Sequence, residues 1–450
     1  MTSTLDSLGQ TTKQTQSNLP ASAFFAEESM LSEYAMLIES MLSNQDAESP
    51  ADIERILGAG PYEELRRSAG RGLMRSVGAF FTSQEMAQVL WKPALDQLND
   101  RSIVVDPACG AGDLLLIPAH HLSSTGNLSD LGRQIRGSDS NAPFVDVART
   151  RLALLANSVD SSGSDWRGDH FPGVVPADFL KDSDSPVSGA THVVLNPPFN
   201  PMIADESVSW AKGSINSAAL FVSRALASMD DGARLLAILP EVLRTGSRYE
   251  LWREVVMRNT SPNRIESLGQ FDHDTDVHVF ILDVTKDAAG IWKSGWTSHR
   301  WSDSLGVLGI PTVGSLFEVK VGSLVPHRHD QLGEEVKYLT SRDLADWDTL
   351  DSVVGRRRFS GRTDIGPTVV IKRTSRPGDM YRARASVIAS DEPVAYENHL
   401  IVLKPLDGTL AACQQLLRVL KLSSTTSFLD ERMQCRHLTV GSVKEIPWSD

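Results

Sequence analysis

The spacing of apolar residues changes in stages along this chain. Residues 1–20 are rich in Ser, Thr and Gln and hold almost no apolar side chains, so they cannot offset the entropy of ordering, and 1–22 reads as a disordered tail. From Ala23 to about Leu98 the apolar positions recur every three or four residues, as in Met30, Leu31, Tyr34, Leu37, Ile38 and Met41. That spacing predicts a helical N-terminal region over 23–100. From Ser102 the pattern switches to short apolar runs alternating with helical stretches. Strands are predicted at 103–106, 134–138, 191–195, 234–239, 264–268 and 277–284, with helices at 113–121, 143–157, 215–229 and near 249–257. Such alternation over 101–310 predicts a parallel, doubly wound α/β sheet, in which ligands sit beyond the carboxyl ends of the strands. A third region, 311–450, is poorer in long helices, with strands predicted at 369–372 and 399–404, one helix at 411–421, and many turn residues.

Composition narrows the picture. The 450 residues are 41% hydrophobic and 22% charged, more than one core usually organises. No stretch approaches the length of an apolar membrane span, and the N-terminus lacks the basic and apolar parts of a signal peptide, so a cytoplasmic location is expected. Cys109, Cys413 and Cys435 form no C-x-x-C pair, which argues against a zinc site or a disulfide framework. The net charge of -13 is unlike that of a nucleic-acid binder, but it lies upstream of the near-neutral 311–450 region. Within 356–384, Arg356, Arg357, Arg358, Arg362, Lys372, Arg373, Arg376, Arg382 and Arg384 face only Asp364 and Asp379. This is a local basic patch, whose plain alternative is a solvated face.

The candidate chemistry starts where the first α/β strand runs into D-P-A-C-G-A-G-D (106–113). Gly110 and Gly112 permit close backbone approach to a ligand, though a strand-to-helix turn alone would also use them. No G-K-[ST] follows, which excludes a Walker A loop, and Leu115 stands where a dinucleotide fingerprint needs its third glycine. A second string, N-P-P-F (196–199), directly follows the strand at 191–195.

These two strings in this order resemble motif I and motif IV of the γ group of N6-adenine DNA methyltransferases, as found in type I methylation subunits and fused type II enzymes of restriction-modification or phage-defence systems. The resemblance implies a Rossmann-like class I methyltransferase fold with a seven-stranded sheet, an α+β target-recognition domain behind it, S-adenosyl-L-methionine as cofactor and double-stranded DNA as partner, with a separate restriction or defence subunit as a further candidate partner. It implies that Asp106, Ala108, Gly110 and Gly112 cradle the amino-acid end of the cofactor, with Asp106 on its ammonium group. Asp139, at the next strand end, would accept the ribose hydroxyls, its alternative being a helix N-cap. G-A-F-F-T-S (78–83) is similar to the family's F-T-P element, with Ser83 in the proline's place, which assigns Phe81 and Thr82 to the methionine end. In A-D-F-L (177–180), Asp178 and Phe179 take the positions that read the cofactor adenine.

The catalytic assignment has a chemical reason. Adenine N6 is a weak nucleophile because its lone pair is delocalised, and attack on the methyl sulfonium moves that nitrogen towards sp³ geometry. Two acceptors aimed at its N–H bonds favour the change: the Asn196 side-chain oxygen and the Pro197 carbonyl, with Pro197 and Pro198 restricting the turn. Phe199 offers a face on which the base stacks. Asn196 also belongs to the implied cofactor set. Such a base must be extruded from the duplex. L-G-Q-F-D-H-D-T-D-V-H-V-F-I-L-D-V resembles the family's motif VIII, a phenylalanine followed by an antiparallel strand pair, and assigns Phe271 to the second stacking face, against the ordinary alternative of a core position.

N-P-P-[FY] also serves methyltransferases acting on glutamine in release factors and on guanine N2 in ribosomal RNA. Residues 311–450 favour DNA, because V-K-Y-L-T-S-R-D-L, V-V-I-K-R, Y-E-N-H-L-I-V-L-K-P and R-H-L-T-V-G-S-V-K-E-I-P resemble, in order, the recognition domains of type I specificity subunits. On that reading Arg356, Arg357, Arg358, Lys372, Arg373 and Arg376 contact DNA. A DNA-binding subunit that senses the cofactor without turnover is the remaining alternative. H-R-H-D (327–330) lacks further metal ligands at suitable spacing, and the E-V-K strings at 318–320 and 335–337 lack the rest of a nuclease site, so no metal is expected.

Overall fold

In the computed structural model the described residues are 32, 36, 50–58, 60, 82–126, 128–163, 165–182, 186–206, 208–271, 277–287, 289, 290, 292, 296 and 310–448. The tail expected at 1–22, much of the helical N-terminal region and Phe81 lie outside them. The chain divides into two compact units, Met1–Pro198 and Phe199–Asp450.

The first unit is built on four parallel strands: β1 (Val104–Asp106), β2 (Ile135–Asp139), β3 (Val174–Pro176) and β4 (His192–Leu195), in the order β3-β2-β1-β4. Every residue of β1 and β4 is buried, as expected of strands covered by helices on both faces. The helices Asp113–Thr125 and Ala142–Val159 supply the crossovers and pack on each other. In the N-terminal region the described helices are Pro50–Leu57, which packs on Ala142–Val159, and Gln84–Trp91, which packs on Asp113–Thr125. Strand β3 was not predicted, because its three residues run from buried to exposed and carry no period-two signal.

The second unit opens with a small hairpin, β5 (Pro201–Ile203) with β6 (Ser214–Asn216), and continues with β7 (Arg234–Pro240), β8 (Thr260–Gln270) and β9 (His278–Lys286). The whole seven-stranded order is β3-β2-β1-β4-β7-β9-β8. The expected seven-stranded class I architecture is therefore present, but the expectation of a parallel sheet needs correction. Strand β9 runs antiparallel to both β7 and β8. The link between Gln270 and His278 is far shorter than the dozen or more residues a parallel crossover requires.

The rest of this unit is α+β. A five-stranded sheet has the order β10 (Phe317–Val321), β17 (Leu400–Pro405), β14 (Thr368–Lys372), β15 (Ala385–Ile388) and β12 (Thr349–Leu350). A three-stranded one joins β13 (Arg356–Phe359), β11 (Glu334–Leu339) and β16 (Val394–Tyr396). Strand alternation divides the core: Val369, Ile371, Ile401 and Leu403 pack with Cys413, Leu416 and Leu420 of the helix Leu410–Lys421, whereas Val370, Leu400 and Val402 pack with Leu339 and Tyr396. A second helix, Ser423–Arg432, follows where only one was predicted. Its polar sequence has little amphipathic pattern, and Phe428 and Leu429 anchor it.

One buried ion pair joins the antiparallel strands. Arg234 on β7 donates from Nε and Nη2 to the two carboxylate oxygens of Asp283 on β9, at 2.8 and 2.7 Å, and Asn263 Nδ2 donates to the same carboxylate at 3.0 Å. Removing one partner leaves a charge buried without its counter-ion. Asp283→Ala is expected to lower unfolding stability by about 3–5 kcal/mol, read as a shift of the urea midpoint; an unshifted midpoint contradicts this role.

Candidate active site

The first unit gathers acids at adjacent strand ends. Strand β1 ends on Asp106, which is fully buried and whose Oδ1 accepts from the Ala108 backbone N–H at 3.0 Å. Strand β2 ends on Asp139, whose Oδ2 accepts from Gly110 N–H and whose Oδ1 accepts from Asn141 N–H, each at 2.9 Å. The Cys109 N–H donates to the Ser138 carbonyl at 2.9 Å, so the loop after β1 is laced to the end of β2. Gly137 makes this approach possible, since a Cβ there would meet the Asp106 carbonyl and Cys109 Cβ at 3.1 Å.

The loop needs both of its glycines in the left-handed region, Gly110 at φ +50° and Gly112 at φ +87°. They differ in surroundings. A Cβ on Gly112 would press on Ala148 Cβ at 3.1 Å, whereas one on Gly110 would meet nothing within 4 Å. Gly112 is thus a packing glycine, whereas Gly110 faces open space. The N-cap of the helix Ala142–Val159 is Asn141, which accepts from Phe144 N–H, and Asp139 is instead engaged with the loop.

Electrostatics follow from burial. Desolvation pushes the Asp106 carboxyl up to about 8, opposed by the Ala108 N–H and reinforced by the charges of Asp139 and Asp113. Burial likewise raises Asp139, opposed by the Asn141 and Gly110 N–H groups and reinforced by Asp178. Asp178 follows β3, with its Oδ1 accepting from Leu180 N–H at 3.1 Å and its Oδ2 paired to Lys181 at 2.7 Å. Phe179 beside it is buried. A buried acid, a half-buried one beside it and a third within electrostatic reach suit a cationic, polyhydroxylated ligand.

Asn196 follows β4 and donates from Nδ2 to Thr82 Oγ1 at 2.8 Å, so the carbonyl oxygen is the other arm of a fixed amide. Thr82 is buried, and Ser83 after it caps the helix Gln84–Trp91 through Met86 N–H. Pro197 is buried, and Pro198 is half-buried. In the second unit, the half-buried Phe199 meets the buried Phe271 edge-to-face, with ring centroids 6.3 Å apart. Asn216 holds Phe199 in place: its Nδ2 donates to the Phe199 carbonyl at 2.9 Å, its Oδ1 accepts from Ala218 N–H at 3.0 Å, and its own N–H donates to the Tyr249 hydroxyl at 2.8 Å. Sequence reasoning did not single out Asn216. Its signal was an Asn just before a helical pattern.

Residues 56–240 match the family model described as N-6 DNA Methylase. This chain carries an N-6 adenine DNA methyltransferase domain. No curated protein matches the chain. Among solved structures it is similar to the DrdV–DNA complex determined by cryoEM (10% identity, TM-score 0.51, 87% of this chain and 55% of that one). It is also similar to the type IIG restriction endonuclease BpuSI (13%, 0.46, 95% and 71%). A third is the type IIL restriction-modification enzyme MmeI in complex with DNA (11%, 0.48, 87% and 70%). The chain spans 55–71% of the length of these three proteins. At 10% identity the likeness to the DrdV complex is one of fold.

Beyond the methylase domain, the basic patch is less free than its sequence implies. Arg356 on β13 pairs with Glu335 at 3.4 Å and Glu392 at 3.7 Å. Arg357 donates to the carbonyls of Pro326 and His329 and lies over the Tyr338 ring, and Arg358 donates to the Gly333 carbonyl. Lys372 pairs with Asp346 at 2.7 Å, and Arg373 donates to the Leu438 carbonyl at 3.2 Å. The Arg376 N–H donates to Asp379 in a turn, and Arg382 is buried against Asp430. His329 accepts from Val325 N–H through Nδ1, and Lys320 of the first E-V-K pairs with Asp364. Among the described residues no group of three metal-ligating side chains occurs.

The two loop glycines of the methylase domain are expected to respond unequally. Gly110→Ala costs about 1 kcal/mol of stability from its backbone angle alone. Gly112→Ala adds overpacking against Ala148 and costs about 2–4 kcal/mol. Thermal melts of the two variants check this, and equal shifts refute the assigned difference.

Proposed function

We propose that this chain transfers the methyl group of S-adenosyl-L-methionine to the N6 amine of an adenine extruded from duplex DNA, at sites selected by residues 311–450, in a restriction-modification or phage-defence system. The proposed organisation is a tail at 1–22, a helical region at 23–100, the methyltransferase domain at 101–310 and a recognition domain beyond it. The observation that carries the reading is the Asn196 amide, which follows β4 and is tied to Thr82 within the family-matched segment, one strand over from the acid-lined loop that follows β1.

The cofactor brings an electrophilic methyl on cationic sulfur. The residues present suit it: Asp106 offers a buried carboxylate to the ammonium, Gly110 an unobstructed backbone, and Asp139 two oxygens to the ribose. Asp178 and Phe179 would meet the cofactor's adenine, and Phe81 and Thr82 its methionine end. On the substrate side, Asn196 Oδ1 and the Pro197 carbonyl accept from the target amine and draw it towards sp³ geometry. Because Thr82 and the prolines hold these acceptors before the base arrives, little reorganisation remains for the transition state. Phe199 stacks on the base, with Phe271 as its second wall. The proton that nitrogen loses passes to solvent or to the acceptors beside it. Arg356, Arg357, Arg358, Lys372, Arg373 and Arg376 would contact DNA in the recognition domain.

Asn196→Ala is expected to abolish transfer of labelled methyl groups to DNA while cofactor affinity falls by less than about tenfold, because the acceptor for the target amine is lost together with at most one contact to the cofactor. Undiminished turnover sinks the assignment. Thr82→Val should lower kcat about fivefold to tenfold, in line with one hydrogen bond, and Thr82→Ser should retain most of it. The raised Asp106 pKa sets a proton linkage. A carboxyl that is mostly protonated at neutral pH must ionise to hold a cation, so cofactor binding at pH 7 releases on the order of one proton and weakens as pH falls. Calorimetry in buffers of different ionisation enthalpy reads this; Asp106→Asn removes the release, and an unchanged release in that variant contradicts it. Long-read sequencing of DNA from a host expressing the chain tests the whole reading, which fails if no N6-methyladenine is found.

A further inference from the structure

All five N–H groups of the Arg151 guanidinium are used, and none of the roles above requires the residue. It lies in the middle of the helix Ala142–Val159 and is fully buried. A guanidinium has five N–H donors, and here five acceptors surround it. Nε donates to the Ile56 carbonyl at 2.9 Å, and Nη2 to the carbonyls of Leu57 at 3.0 Å and Gly58 at 2.8 Å. Nη1 donates to the Ala111 carbonyl at 2.6 Å and to Asp113 Oδ1 at 2.8 Å.

The acceptors fall into two groups far apart in sequence. Ile56, Leu57 and Gly58 end the N-terminal helix Pro50–Leu57, where carbonyls lack intrahelical partners and carry negative partial charge. Ala111 and Asp113 belong to the glycine loop and the first turn beyond it. The Ala111 contact fixes the peptide between Ala111 and Gly112 from one side, and Gly112 N–H donates to the Cys109 carbonyl at 2.8 Å on the other. One turn earlier on the same helix, Ala148 sits against Gly112. The helix thus grips the loop twice, and its arginine shares one charge between that loop and the N-terminal segment.

We infer that Arg151 is a positioning residue that couples the N-terminal helix to the cofactor loop, so that filling the loop firms the seating of that helix. Rotation of the Ala111 peptide or movement of the helix end strands buried donors in either case, so each group of acceptors holds the other in register. Coupling of this kind is reciprocal: whatever factor the seated helix contributes to cofactor affinity, bound cofactor returns to the seating of the helix. Lysine cannot replace the arginine, because three donors on a point charge do not span the two groups.

The inference rests on the cofactor assignment made above, and hydrogen exchange on the full chain separates the two. With S-adenosylmethionine added to the unsubstituted protein, slower exchange is expected both in residues 107–113 and, at least fivefold, in residues 54–58. Arg151→Lys should weaken cofactor binding about tenfold and abolish the response at 54–58 while the response at 107–113 persists at saturation. Protection of 107–113 without protection of 54–58 overturns the coupling and leaves the cofactor reading intact, and this outcome needs no variant. Absence of any cofactor binding overturns the cofactor reading and the coupling with it. A variant that melts earlier yet keeps cofactor-dependent protection at 54–58 marks Arg151 as merely structural and also overturns the proposal.

Discussion

The first unit depends on one constraint: two carboxylates at neighbouring strand ends, Asp106 buried and Asp139 half-buried, lose hydration and must be satisfied by backbone N–H groups. Those N–H groups come from Ala108, Gly110 and Asn141. To deliver them, the chain leaving β1 has to fold back over β2, which requires a missing side chain at Gly137 and left-handed turns at Gly110 and Gly112. The sharp turn then starts the helix Asp113–Thr125 within one residue. A pattern that reads as a motif is thus the solution of a packing and solvation problem. Its by-product is a pair of poorly solvated acids beside a glycine backbone, and a cationic ligand there would draw them into their ionised form.

Much of this was legible because the responsible signals are local. The apolar runs at β1, β2, β4 and β7 and the helical spacing between them anticipated each element to within a few residues. The acids and the asparagine that follow those strands stand where the strands end. What escaped is what depends on partners remote in sequence. The β5–β6 hairpin and β3 are three-residue strands with almost no periodicity of their own, and their place is set by their neighbours. The antiparallel edge was not legible in the alternation of strands and helices, because a buried strand has the same composition in either direction, and only the resemblance to motif VIII and the short link before β9 point to it. Arg151 looked like an ordinary helical arginine, and its five acceptors lie about 40 and 95 residues away.

The basic patch illustrates the same limit in the other direction. Counting charges between 356 and 384 finds cations in excess, yet the acids that meet them come from elsewhere: Glu335, Glu392, Asp346 and Asp430. Arg382, which the count includes in the basic patch, is instead buried between Asp430, Ser375 and the carbonyls of Met433 and Cys435. A local charge count is a statement about sequence, whereas an electrostatic surface is a property of the fold.

That pairing bears on how an acidic protein would use DNA. A free arginine gains affinity from any phosphate, because counter-ion release does not depend on sequence. A paired one, such as Arg356 or Lys372, must first give up a carboxylate, so its net gain from a phosphate is smaller. In the proposed recognition role, such residues would contribute little to general adhesion, and the negative charge upstream would oppose it further. What discriminates under those conditions is a contact that repays the exchange in full, such as a bidentate one to a base edge. Weak attraction to DNA in general is then a condition for selecting one site, which fits a recognition region that is nearly neutral rather than strongly basic.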